Sequence, residues 1–262
     1  WRSLLAGLCL LLLAPILAII ATAIGDTSGL LQHLIDTVLP TYVATTLSLM
    51  GAVGIFALLF GVTTAWIVSR YEFFGKNALE WMLVLPAAIP AYIIAYCYTD
   101  FLEYAGPLQT GLRSLFDWQN SRDYWFPEIR SFWGAAVMMA SVLYPYIYLL
   151  ARTAFRQTSR DLFEITALSG RNMFIFAALP LARPAIAAGL SLVLMEVVSD
   201  FGTVEYFALE TLTLGIFNVW LGMNSITAAA QLAVFAFILV GALLIVEIFA
   251  RSRASFRFSG SG

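Results

Sequence analysis

Residues 42–68 read YVATTLSLMGAVGIFALLFGVTTAWIV, a run without a single charged side chain. A transmembrane helix needs about 20 apolar residues to cross about 30 Å of hydrocarbon. This run is long enough to do so, and it lacks the short alternating segments that are typical of a transmembrane β-barrel. The stretch therefore predicts a helix that spans a membrane.

Five further apolar runs occur along the chain, separated by segments that carry most of its charge. Of the 262 residues, 61% are hydrophobic and 11% are charged, against about 45–50% and about 25% in soluble domains. This composition excludes a basic nucleic-acid binder and nearly all soluble enzymes. The sequence predicts an all-α membrane protein: one domain over residues 1–258, a flexible Gly/Ser tail at 259–262, and six spans at Leu4–Ile24, Tyr42–Val68, Ala78–Thr99, Phe132–Ala151, Pro184–Tyr206 and Ile226–Ala250.

The placement of basic residues predicts the orientation of these spans. With the amino terminus in the cytoplasm, only Arg113, Arg122 and Arg130 of the 14 Lys and Arg residues lie outside. Basic residues concentrate in the cytoplasmic loops of membrane proteins. We therefore expect a multi-pass membrane protein with both termini in the cytoplasm.

The predicted inner loop, residues 152–183, is long enough to contain a helix of its own. Its segment Asp161–Gly170 has apolar residues at helical spacing, and its acidic residues suit the positive end of a helix. Gly170 suits the helix end, because glycine adopts the left-handed conformation without strain. Such a helix either lies on the membrane surface or docks into a cytoplasmic partner, and both interpretations stay open.

This loop resembles the EAA loop in the membrane subunits of ATP-binding-cassette importers. The residues that carry the resemblance are Glu164, Ile165, Thr166, Gly170, Leu179 and Pro180. Four further segments resemble the ferric-iron branch of these permeases: residues 85–92 (LPAAIPAY), 98–101 (YTDF), 123–128 (DYWFPE) and 200–204 (DFGTV). The resemblance implies a type I (MetI-like) permease bundle of the bacterial inner membrane, of which this chain is one six-helix half.

The resemblance also implies partners and a mechanism. The loop would be the coupling helix that sits in a cleft of a cytoplasmic ATPase dimer, which binds ATP and Mg²⁺, while this chain binds no cofactor. A second six-helix half and an extracytoplasmic solute-binding protein would complete the importer, with ferric iron favoured over thiamine, sulfate or polyamine. Ile165 and Thr166 replace two alanines of the family pattern. The spacing from Gly170 to Leu179 is also about three residues short, which would change the angle between the coupling helix and the fifth span.

Two carboxylates, Glu196 and Asp200, lie in the predicted fifth span, four residues apart and therefore on one helical face. An ionised carboxylate inside a membrane is costly unless it meets water, a partner or a cation. We interpret the pair as part of the substrate path and as transient ligands of Fe³⁺. In the alternative interpretation one of them is protonated, or Asp200 caps a helix end near Gly202.

Tyrosines in the third and fourth spans could add further oxygen ligands for a hard cation. The candidates are Tyr92, Tyr96 and Tyr144, although such residues are more often interfacial or packing residues. Pro86 and Pro90 are expected to break the third span. Carbonyl groups freed by such a break must face protein or a water-filled cavity, so we expect the pathway between spans three, four and five.

The predicted outer loop, residues 101–131, is rich in aromatic residues, which are expected either at the membrane boundary or in a docking surface. The chain has no glycine-rich phosphate loop, so it is not expected to hydrolyse ATP or to be an enzyme. The alternative from another functional class is a secondary transporter driven by an ion gradient.

Overall fold

The computed structural model describes residues 1–27, 29–158, 166 and 168–255, with side chains described at all of these except 2, 3, 6, 243, 244 and 246–255. The described residues form helices and no strand, which confirms the all-α prediction. The helices are α1 (Arg2–Ala23), α2 (Leu30–Thr37), α3 (Leu39–Arg70), α4 (Lys76–Met82), α5 (Ala91–Leu102), α6 (Pro107–Phe116), α7 (Phe132–Gln157), α8 (Leu179–Ser199), α9 (Gly202–Tyr206), α10 (Leu212–Phe217) and α11 (Ile226–Ser255).

Three helices in the described part of the chain are long and apolar enough to cross a membrane: α3, α7 and the continuous helix Phe174–Ser199 that contains α8. A fourth span results if the bent pair Lys76–Ala88 and Ala91–Phe116 is counted as one. The predicted first and sixth spans correspond to α1 (22 residues) and α11 (30 residues). The count of six spans stays a prediction.

The predicted third span, Ala78–Thr99, is not one straight helix. After α4 the chain forms a 3₁₀ turn, Leu85–Ala88, and α5 starts only after Pro90. The two parts are bent by 102°. Ile89 is extended (φ −115°, ψ 130°), as the residue before a proline prefers, and Pro90 has no N–H to continue the helix. The expected break at the two prolines is thus confirmed.

The predicted fifth span, Pro184–Tyr206, is shifted in the structure. The helix begins well before Pro184 and ends at Ser199, where Asp200 takes up an extended conformation (φ −65°, ψ 128°). Asp200 is the C-cap of this helix, and its N–H still donates to the carbonyl of Glu196 over 2.9 Å. The two residues therefore lie one helical turn apart, as predicted, and the chain leaves the helix directly after Asp200.

The backbone divides into two compact units. The first contains residues 1–47 and 209–245, and its core is formed by Leu34, Val219, Ala228, Ala229 and Leu232. Within it, the backbone N–H of Leu212 donates to the buried Thr46 Oγ1 over 3.0 Å.

The second unit contains residues 48–208 and the described residues from 246 onward. Its centre is α7, whose Ile147 is fully buried. Glycines let two neighbouring helices approach this residue closely. A Cβ added to Gly61 of α3 would lie 2.8 Å from Ile147 Cβ, and one added to Gly189 of α8 would lie 2.7 Å from Ile147 Cα. Small residues permit such close packing between membrane helices.

Candidate functional site

A cavity of about 300 Å³ lies at the break between α4 and α5. Residues from the break, from α7 and from α8 line it: Ala87, Ala88, Ile89, Pro90, Ala91, Val142, Leu143, Tyr146 and Glu196. Glu196 is the one carboxylate in this described lining, and its side chain is exposed. Among the described residues, none donates a hydrogen bond to this carboxylate or forms an ion pair with it. The cavity lies between the elements of spans three, four and five, where the sequence predicts the pathway. Its use as a pathway stays a prediction.

The backbone next to this wall is irregular. In an unbroken helix the carbonyl of Pro86 would accept from the N–H of residue 90, which a proline lacks. It accepts instead from the Ile89 N–H, over 3.2 Å. Carboxylate and carbonyl oxygens are the ligand types that hard cations prefer. Of these ligand types, the described lining presents the carboxylate of Glu196.

Asp200 does not line this cavity with Glu196. Its carboxylate accepts hydrogen bonds from the backbone N–H groups of Thr203, over 2.9 Å, and Val204, over 3.2 Å. The Thr203 hydroxyl donates to the second oxygen over 3.1 Å. Asp200 thus caps α9, which is the alternative interpretation of its role. The expected joint metal site of Glu196 and Asp200 does not form in this structure.

Tyr92 and Tyr96 lie in a different cavity, of about 670 Å³. Its other wall comes from Phe201 to Tyr206, and the rings of Tyr96 and Tyr206 are 5.8 Å apart. Both tyrosines are exposed, at 52% and 60%. They lie outside the lining of the Glu196 cavity.

Tyr144 also lies away from Glu196. Its ring packs edge-on against Phe60 of α3, with centroids 6.4 Å apart. Tyr146 lines the cavity instead. Residues two apart on a helix point about 200° away from each other, so only one of these tyrosines can face the break. In the part of the chain with described positions, no group of three or more His, Cys, Asp or Glu residues could hold a metal ion.

The end of the loop helix is visible, although its start is not described. Glu164 and Ile165 lie outside the described residues. Gly170 has φ +69°, and the N–H of Arg171 donates to the carbonyl of the buried Thr166 over 3.3 Å. A left-handed glycine and this backward hydrogen bond are typical of a helix C-terminus. The predicted helix end at Gly170 is confirmed.

Leu179 and Pro180 are the first two residues of α8. A π-helical segment, Phe174–Ala178, precedes them and continues directly into α8. Asn172 starts this segment, since its Oδ1 accepts from the N–H groups of Phe174, over 2.9 Å, and Ile175, over 3.2 Å.

An aromatic cluster that the sequence analysis missed packs both ends of this loop. The ring of Trp66 on α3 lies 5.5 Å from that of Phe155 on α7 and 5.2 Å from that of Phe174. Rings at these separations attract each other beyond their burial. Helical spacing alone gave no signal for the cluster, because its members are far apart in the sequence.

The loop between α5 and α7 is an ordered structure. Arg113 Nη1 donates to Tyr124 Oη over 2.8 Å, and this hydroxyl donates to Gln109 Oε1 over 2.6 Å. Trp118 stacks on Tyr124 with ring centroids 4.7 Å apart. Beside this network lies a cavity of about 530 Å³, at whose edge Trp125 is 86% exposed.

Arg130 ties the end of this loop to α9. It forms an ion pair with Glu103, and its Nη2 donates to the Tyr206 hydroxyl over 3.2 Å. The hydrogen bond to Glu103 raises the pKa of Arg130 above its ordinary value, so the arginine stays charged at every physiological pH.

A family of known proteins matches residues 57–253: the binding-protein-dependent transport system inner membrane component. The chain belongs to this family. Its members are multi-pass proteins of the inner membrane, in agreement with the apolar helices seen here.

Curated relatives include transporters of several substrates. The chain is 28% identical over 259 residues to an Fe(3+)-transport system permease protein of Haemophilus influenzae, a match that covers 97% of this chain and 46% of that protein. It is 29% identical over 263 residues to a probable molybdenum ABC transporter permease protein of Haloferax volcanii, covering 94% and 90%. A sulfate transport system permease protein of Escherichia coli is 26% identical over 210 residues, covering 76% and 70%. The chain thus spans about half the length of the iron permease that it matches.

Among solved structures, the chain is similar to one in the crystal structure of a bacterial alginate ABC transporter in complex with an alginate pentasaccharide-bound periplasmic protein. The TM-score is 0.73 at 16% identity, covering all of this chain and 95% of the other. This similarity shows that the two chains share a fold.

Proposed function

We propose that this chain is the permease subunit of an ATP-driven importer and forms half of a translocation pathway for ferric iron. Membership of the binding-protein-dependent transport family supports the importer class. The match to the iron permease of Haemophilus influenzae covers nearly the whole of this chain but only about half of that permease. This is expected if two such halves make one pathway. The substrate class rests on a single observation, the unpaired Glu196 in the cavity at the helix break.

Glu196 favours a cation over an oxyanion. Its negative charge would repel sulfate or molybdate in a confined space of low dielectric constant, whereas it would attract Fe³⁺, a hard cation. Permeases of those oxyanions are nevertheless among the relatives. An oxyanion permease is therefore the second candidate, and the test below separates the two.

We infer the partners of the proposed importer from the loops on the two sides of the membrane. A cytoplasmic ATPase dimer would bind the loop around Glu164–Gly170, hydrolyse ATP and move the bundle. A solute-binding protein would deliver substrate at the opposite side, where the loop between α5 and α7 presents an ordered surface. The distribution of basic residues supports this orientation, with both termini in the cytoplasm.

The test is uptake of radioactive Fe³⁺ in proteoliposomes that contain the full transporter. Glu196→Gln keeps the size of the side chain and removes its charge, and we expect it to abolish most uptake. The same variant also tests the oxyanion hypothesis. An oxyanion permease would import more sulfate or molybdate when the repelling charge is removed. Normal iron uptake by this variant would contradict the assignment of the substrate.

The energy source is tested in intact cells. Uptake that stops on ATP depletion and survives an uncoupler supports the importer, and the opposite pattern supports a transporter driven by an ion gradient.

A further inference from the structure

One carboxylate joins α4 to α7. Both oxygens of Glu80 are engaged: Oε2 pairs with Arg152, and Oε1 accepts from Arg156 Nη2 over 2.6 Å. The two arginines are one helical turn apart on α7, so their guanidinium groups reach the carboxylate from the same face. The Glu80 side chain is only 15% exposed and that of Arg152 only 22%. The sequence analysis assigned no role to Glu80.

Apolar packing does little to hold α4 in place. All seven of its residues are described, and none of them is buried. Trp81 and Met82 are 78% and 60% exposed. Glu80, by contrast, is one of its least exposed side chains. The ion pairs are therefore the main attachment of this short helix to α7.

The ion pair between Glu80 and Arg152 is largely enclosed by protein. The fully buried Tyr148 lies one helical turn before Arg152 on α7, and its hydroxyl has no hydrogen-bond partner among the described residues. The Nε of Arg152 has none there either. Removal of one partner from such an enclosed ion pair leaves the other charge uncompensated, which is costly. The cluster therefore has a strong preference for the closed, paired arrangement.

A short stretch of backbone connects α4 to the cavity wall. After Met82 only two residues separate α4 from the 3₁₀ turn, whose Ala87 and Ala88 line the Glu196 cavity. A shift of α4 relative to α7 would thus move the wall that faces Glu196. Arg156 is also the penultimate residue of α7. It lies near the start of the loop whose helix ends at Gly170.

We propose that Glu80, Arg152 and Arg156 form an electrostatic latch that positions the broken span against α7 and thereby sets the access to the Glu196 cavity. Glu80 is a positioning residue that acts through the 3₁₀ turn. The link to transport rests on the proposed function, while the link to cavity access does not.

The experiment measures cavity access directly, in the full transporter. Ala88→Cys, in a background with Cys9→Ser and Cys97→Ser, reports access through its rate of labelling by a small, membrane-impermeant thiol reagent. With Glu80→Gln we expect labelling to become about tenfold faster, within the usual range of conformational coupling, together with a loss of most uptake. Glu80→Asp, which keeps the charge, restores both in part.

Glu72→Gln is the matched control. Glu72 forms an ion pair with Lys76 at the start of α4, but its side chain is 88% exposed, and exposed pairs contribute little. We expect this variant to leave both labelling and uptake unchanged. Arg156→Gln, which breaks only the more exposed contact, gives a smaller increase in labelling and serves if Glu80→Gln fails to fold.

An unchanged labelling rate in folded Glu80→Gln and Arg156→Gln would overturn the latch, whatever the uptake. An equal response to Glu72→Gln would overturn it too. If the unmodified transporter imports no iron, the proposed function fails, and the labelling rates still decide whether the latch exists.

Discussion

Glu196 on α8 and Pro90 at the start of α5 line the same cavity of about 300 Å³. The proline removes a backbone donor, and the carboxylate supplies a charge opposite the resulting break. A membrane protein tolerates irregular backbone only where it is enclosed by protein or lines a water-filled cavity. Both residues thus face the same space at the break.

Pro90→Ala should restore a backbone donor at the break and favour a straighter third span. We expect uptake to fall while the protein still inserts and unfolds at the same or a higher temperature, because alanine is the better helix former. Uptake assays and thermal unfolding in detergent measure the two effects. A variant with full uptake would show that the break is dispensable.

Asp200→Ala removes the acceptor for two backbone N–H groups of α9. Loss of such a cap costs about 0.5–2 kcal/mol, so the unfolding temperature should fall. Asp200→Asn keeps an acceptor without the charge and should retain most of both stability and uptake. If the amide variant instead abolished uptake, the charge of Asp200 would have a direct role in the pathway.

Gly189→Ala adds a methyl group where the backbone of Ile147 leaves no space, since the new Cβ would lie 2.7 Å from its Cα. Overpacking of this kind costs about 1–3 kcal/mol, and thermal unfolding should detect it. Gly51→Ala on α3 is the control, because a Cβ there meets nothing within 4 Å. Equal stability of the two variants would contradict the close packing of α8 on α7.

Gly170→Ala places a side chain in a left-handed conformation (φ +69°), which costs about 1–2 kcal/mol. We expect weaker coupling between ATP hydrolysis and uptake, seen as fewer ions imported per ATP. Asparagine tolerates this conformation better, so Gly170→Asn should lie between alanine and the unmodified protein. The idea fails if alanine leaves the coupling ratio unchanged.

The sequence predicted the features that depend on local chemistry. The charge-free run at 42–68 forms the long α3, the two prolines break the third span, and Gly170 ends the loop helix. Each of these follows from a property of the residue itself: its hydropathy, a missing N–H or a permitted φ angle.

The sequence analysis went wrong where several local preferences compete. Asp200 lies one turn from Glu196, as the spacing predicts, yet its carboxylate caps α9 and does not line the Glu196 cavity. Tyr144 is one of several candidate ligands by sequence, and its ring packs against Phe60 from a distant part of the chain. The π-helical segment at Phe174–Ala178 leaves no signature in hydropathy. Tertiary partners decide such cases.

The glycines on either side of Ile147 have a mechanical consequence. Helices whose backbones touch cannot slide past one another without clashes, so the adjoining parts of α3, α7 and α8 should travel as a rigid block during a transport cycle. The bending would then fall on the irregular backbone at its margins, namely the proline break and the π-helical turn. The proline break adjoins the latch, and the π-helical turn adjoins the aromatic cluster. In the proposed importer, the ATPase would push on these two regions.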